Sequence, residues 1–159
     1  MNEKIVNMRS FFLLLNRIWR RRYQLQKFYF RALGIKIGRN NTFNDWIKII
    51  ILKPNVVIGD NNVFNEGIIL NNRENITIGC DNHFSSGTKI ITSKWLNGEH
   101  ISAPVFIGDS IIVGTNTVIL SGHKSVSICS KVEIGIGSLV IRNIEVSGVY
   151  LGSPARQIS

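Results

Sequence analysis

The sequence predicts an all-β fold: a parallel β-helix of about five coils, preceded by one α-helix and interrupted by one protruding loop. Three observations predict it. Ile-Gly corners recur at Ile37-Gly38, Ile58-Gly59, Ile78-Gly79 and Ile107-Gly108, with a degenerate fifth at Ile128-Cys129, spaced 21, 20, 29 and 21 residues apart. Within each block an apolar residue returns every six positions: Ile58, Phe64, Leu70; Ile78, Phe84, Ile90; Ile107, Val113, Ile119; Ile128, Ile134, Val140. The corners themselves collect Gly and Asn (Asn40, Asn41, Asn61, Asn62, Asn71, Asn72, Asn82), residues that tolerate turns and left-handed backbone.

A period of six is neither helical nor a plain alternation. It suits short strands that each bury one aliphatic residue before the chain turns, stacked coil on coil at ~4.8 Å. Three sixes make an eighteen-residue coil, so the corner spacings contain 3, 2, 11 and 3 extra residues. A β-sandwich offers no reason for such a clock.

The chain divides into a basic amphipathic segment, 1–34, and the repeat domain, 35–159. Residues 1–40 hold ten Lys and Arg against one acid, whereas the remainder holds nine of each, so the net charge of +9 belongs to the amino-terminal segment. Within it, "SFFLLLNRIWRRRYQLQKFYFRALG" reads as one helix, with Ser10 able to cap its start and Gly34 its end. Phe11, Leu14, Leu15, Ile18, Leu25 and Tyr29 form an apolar stripe, which Phe12, Trp19, Phe28 and Phe30 widen beside Arg20–Arg22. The five-residue apolar run is too short for a secretory signal, and charge recurs too often for a membrane span. Two roles stay open: a helix that covers the open end of the coils, or one that lies on an anionic membrane surface. No other patch is basic, so no nucleic-acid partner is expected. Cys80 and Cys129 fit neither a metal spacing nor a disulfide framework, and a reduced, cytoplasmic setting follows, with the inner face of the cytoplasmic membrane as the alternative.

The hexapeptide period, the blocks "PVFIGDSIIVGTNTVILSG" and "VEIGIGSLVIRNI", and the ending "YLGSPARQI" resemble the hexapeptide-repeat acyltransferases, above all the O-acetyltransferases of sugars in bacterial surface polysaccharides. The resemblance covers about residues 35–158. It implies a left-handed β-helix, a homotrimer, and acetyl-CoA as co-substrate in the groove between subunits. It further implies an acceptor that is a free or lipid-linked sugar.

The interruption "SKWLNGEHISAPVFIGDS" contains the eleven-residue excess and falls where the resembling enzymes carry a catalytic loop. Acetyl transfer to a hydroxyl needs a base, and histidine is the natural one near neutral pH. His100 is the candidate, with a solvated loop histidine as the plain alternative; His83 and His123 are the other candidates. Trp95, Asn97 and Glu99 are the acceptor-contact candidates. By matching motif, Gly114, Gly122, Gly137 and Ser138 would meet the pantetheine arm, and Ser153, Pro154, Ala155 and Arg156 would close over the cofactor. Arg156, with Arg142, Lys124 or Lys131, would meet the phosphates. Corner formation and a solvated face are the structural alternatives for these glycines and cations.

The pattern also departs from the family. Trp95 stands in the place of a usual histidine, Ile112 in that of a usual tryptophan, and "GSPA" replaces "GNPA". A non-catalytic relative therefore remains as an alternative, and an N-acetyltransferase of a nucleotide amino sugar, which would share fold, cofactor and base, is another. Three histidines separated by 17 and 23 residues do not suggest a metal site.

Overall fold

The computed structural model describes residues 25–51 and 53–159. A helix is seen over 25–32; the expected start at Ser10, the first part of the stripe and the Arg20–Arg22 cluster lie outside the described residues. Its end is a Schellman motif: Gly34 N–H donates to Arg31 O at 2.9 Å and Ile35 N–H to Phe30 O at 3.0 Å. The helix sits on the first coil through Gln26, Phe30 and Leu33. Phe30 meets the Phe43 ring edge-on at 6.4 Å, and the buried Gln26 donates its Nε2–H to Ile47 O at 3.2 Å. Lys27 lies over the Phe43 ring at 5.7 Å, where burial, and then the charge of Arg31, lower its pKa. Of the described members of the predicted apolar face, Phe30 is seated, whereas Leu25, Phe28 and Tyr29 are exposed.

Five coils follow, built from three parallel sheets. Register carries the six-residue period through the stack. On the first face Ile37, Ile58, Ile78, Ile107 and Ile128 align. On the second the column is Phe43, Phe64, Phe84, Val113 and Ile134. On the third it is Ile49, Leu70, Ile90, Ile119 and Val140. All twelve residues of the four predicted six-spaced blocks are buried. The phenylalanines stack nearly flat, at 5.2 and 4.9 Å between centroids.

A buried asparagine ladder ties one corner. The Oδ1 atoms of Asn41, Asn62 and Asn82 accept from the backbone N–H of Asn62, Asn82 and Ile111 at 2.8–3.0 Å, and their amides donate to Gly59, Gly79 and Gly108 carbonyls. Each amide is satisfied on both sides, so it costs little to bury. The Ile-Gly corners bring backbone against backbone: a Cβ on Gly59 would lie 2.5 Å from Gly79 O. The fifth corner accepts Cys129, because the layer beyond it is one bridge, Ile128 to Ile144, rather than a strand.

The six-spaced columns leave no room for extra residues between the first and second, or second and third, faces. All four excesses therefore fall on one edge of the prism, where the third face returns to the first: 50–55, 71–75, 91–104 and 120–125. The largest of them positions the candidate site.

Candidate active site

The excess between the third and fourth coils is a β-hairpin. Strands Ser93–Leu96 and Glu99–Ser102 pair antiparallel across Asn97-Gly98, whose φ values are 51° and 79°. Two successive positive φ angles define the type I′ turn that matches strand twist, and Asn-Gly is its preferred pair. That dipeptide is the signal by which the sequence could have disclosed a hairpin rather than an unspecified loop.

Cross-strand register sets Trp95 opposite His100. Their rings meet edge to face, 5.1 Å apart and 81° to one another, with the imidazole half-buried and Trp95 71% exposed. The hairpin root is pinned: Ser102 Oγ donates to Glu74 Oε1 at 3.0 Å, and Thr92 Oγ1 accepts from Glu74 N–H at 2.9 Å. Lys94 runs its stem across Gly122, where a Cβ would come within 2.7 Å of the Lys94 Cε. Asn97 and Glu99 are exposed at the tip.

The other histidines lie elsewhere. His83, on the second face, has its Nε2 3.1 Å from Asn65 Nδ2 and stacks between Val63 and Ile112. His123 is exposed one coil beyond the hairpin, on the same edge. Among the described residues no three His, Cys, Asp or Glu side chains cluster as metal ligands do.

The chain's end builds a second feature. Strands Gly148–Gly152 and Ala155–Gln157 pair antiparallel, and beside them opens a cleft of about 210 Å³ whose lining includes Arg142, Asn143, Tyr150, Pro154, Ala155 and Arg156. The cleft brings together Arg142 and Arg156, two of the cations singled out for phosphate, and does not include Lys124 or Lys131. Ser153 precedes the cis peptide to Pro154 in the turn of that strand pair.

The remaining cofactor candidates divide by surroundings. Ser138 is buried and its Oγ accepts from Gly152 N–H at 3.2 Å, tying the last coil to the terminal strand. A Cβ on Gly114 would meet Ile136 N at 2.6 Å, so coil stacking by itself explains that glycine. Gly137 differs: its φ is +65° and nothing lies within 4 Å of where a Cβ would stand.

A coiled stack of three-sided layers, with one projecting hairpin and a basic terminal cleft, defines the class. No protein-family model matches the sequence. The chain is 32% identical over 111 residues to a Saccharomyces cerevisiae protein named "Putative acetyltransferase YJL218W", a stretch covering 65% of this chain and 55% of that one. It spans about half the length of the curated relatives it matches. Among solved structures it superposes on a maltose O-acetyltransferase from Clostridium difficile 630 with a TM-score of 0.77 at 25% identity, over 99% of this chain and 88% of that one. It likewise matches a galactoside acetyltransferase in complex with coenzyme A, with a TM-score of 0.69 at 26% identity over 78% of this chain and 64% of that one. The fold is the left-handed parallel β-helix of the hexapeptide-repeat acetyltransferases, and the chain resembles that family.

Proposed function

We propose that the protein transfers an acetyl group from acetyl-CoA to a hydroxyl of a sugar, free or lipid-linked, destined for a surface polysaccharide, and that it does so as a homotrimer in the cytoplasm. The observation that carries this reading is the Trp95–His100 pair on the hairpin. An imidazole held edge-on against a tryptophan, on an insertion outside the rigid coils, is oriented without being sealed from solvent. The likeness to maltose and galactoside acetyltransferases supports a sugar as acceptor.

In this reading the His100 imidazole removes the acceptor hydroxyl proton as the oxygen attacks the thioester carbonyl. When the carbon–sulfur bond breaks, the imidazolium returns that proton to the departing thiolate. The exposed Trp95 face receives the apolar side of the sugar ring, with Asn97 and Glu99 able to hydrogen-bond its hydroxyls. Arg142 and Arg156 take phosphate oxygens of the coenzyme in the terminal cleft, and Gly137 lets the pantetheine arm approach the backbone.

The test is acetyl transfer from labelled acetyl-CoA to a panel of sugars, nucleotide sugars and lipid-linked sugars, with the product identified by mass spectrometry. An ester on a hydroxyl is expected. An amide on a nucleotide amino sugar would convert the reading to N-acetylation, and failure to bind acetyl-CoA would leave a non-catalytic member of the fold.

A further inference from the structure

We propose that the outer face of the amino-terminal helix, together with the first coil, is a docking surface for an anionic membrane. The helix has two apolar faces. Gln26, Phe30 and Leu33 seat on the coils, and Leu25, Phe28, Tyr29 and Ala32, at spacings of three and four, face away. Leu25 is 62% exposed and Phe28 74%. The first coil enlarges this face: Trp46 is exposed with its ring 5.9 Å from that of Tyr29, and Ile50 is exposed four residues further on.

The segment that carries these side chains is basic. Residues 25–53 include Lys27, Arg31, Lys36, Arg39, Lys48 and Lys53, against Asp45 as the one acid. Asp60, from the next coil, pairs with Arg39 at 3.4 Å and leaves the rest of this charge in place. Exposed tryptophan, tyrosine and phenylalanine in a segment rich in lysine and arginine is the composition of a surface that sits at the headgroup level of a bilayer. Charge also selects among occupants. A second copy docked end to end would set this positive surface against itself, whereas an anionic leaflet complements it. No helix of the described residues is long and apolar enough to cross a membrane; the contact proposed for this face lies in the plane of the interface. This inference concerns the first coil and does not depend on the acetyl-transfer reading of the hairpin.

The experiment is flotation of the full chain with phosphatidylcholine vesicles, with and without phosphatidylglycerol. Binding is expected only to the phosphatidylglycerol vesicles, and to weaken as salt is raised. Phe28→Ser combined with Trp46→Ser is expected to lower partitioning by about tenfold or more, since each loses a large apolar contact. Arg31→Glu combined with Lys48→Glu is expected to abolish the dependence on phosphatidylglycerol. All four positions are exposed, so melting temperatures serve as the folding control. Wild-type protein that ignores anionic vesicles overturns the proposal, as does a Phe28/Trp46 variant that binds as wild type. Self-association that Phe28→Ser abolishes would assign the face to a second copy instead.

Discussion

At the residue scale, what separates His100 from the other two histidines is its surroundings. His83 shares a hydrogen bond with Asn65 inside a stacked column, and His123 follows a buried glycine on an exposed corner. Only His100 has an aromatic partner that fixes its ring outside the coils. His100→Ala is expected to lower turnover by roughly 10²–10⁴ while acetyl-CoA binding and melting temperature hold; steady-state rates with a calorimetric scan check it. Wild-type turnover would remove His100 from the mechanism and return attention to His83 and His123. The glycines give a second contrast. Gly114→Ala drives a Cβ into the backbone of the next coil and is expected to cost about 1–3 kcal/mol of stability. Gly137→Ala meets open space and carries only the strain of a left-handed φ, about 1–2 kcal/mol, yet is expected to raise the KM for acetyl-CoA. Denaturant melts set beside acetyl-CoA titrations separate the two, and equal KM values for Gly137→Ala and wild type would make that glycine a corner former alone.

Elements show where the sequence was legible. The columns could be read directly, because one inward residue per strand imposes its period on the chain and nothing else competes for those positions. The helix could not be read so fully, because both its faces are apolar. Of the predicted apolar residues Phe30 takes the seat while Leu25 and Tyr29 stay exposed, and the seat adds Leu33 and the amide of Gln26, a residue that any hydrophobic pattern scores as polar. Phe30→Ala is therefore expected to cost about 3–5 kcal/mol, as large as a loss within the columns, whereas Leu25→Ala should shift stability by no more than about 0.5 kcal/mol; urea unfolding checks both, and similar small losses would mean the helix does not hold the first coil. The hairpin was legible in principle through Asn97-Gly98, since few other pairs accept two positive φ angles in succession. Replacing both with alanine removes the turn that sets Trp95 against His100 while leaving the columns untouched. Turnover is expected to fall at least about tenfold, with any loss of stability limited to the strain of the two left-handed φ angles, about 1–2 kcal/mol each, and retained turnover would show that the hairpin's shape does not matter to the chemistry.

At the scale of the whole molecule, the candidate groups belong to different parts of the stack. The hairpin joins the third and fourth coils, whereas the cleft holding Arg142 and Arg156 closes the far end of the last one. No spacing in the sequence places those two arginines together; the strand pair at the terminus does, by folding back on itself. The coils themselves are convex and rigid, so a groove long enough for an extended coenzyme needs a wall from outside the chain. Large apolar side chains stand ready along the sides: Val57 and Phe106 on the first face, Ile112 on the second, and Ile136 at the corner that follows it, all exposed in the single chain. These sides suit contact with another copy, and the trimer we expect, which rests on the family resemblance, would form each site where the hairpin of one copy meets the side of the next. Sedimentation equilibrium should give a mass about three times 17.9 kDa. Phe106→Glu combined with Ile112→Glu should yield folded monomers without transferase activity, because these side chains point away from the columns and their loss leaves the interior packing intact. Adding such monomers to wild type should not restore their activity, whereas a His100→Ala chain, whose sides are unchanged, should still enter mixed trimers. A monomer that transfers acetyl groups at the wild-type rate would place the whole site within one chain and end the expectation of shared sites.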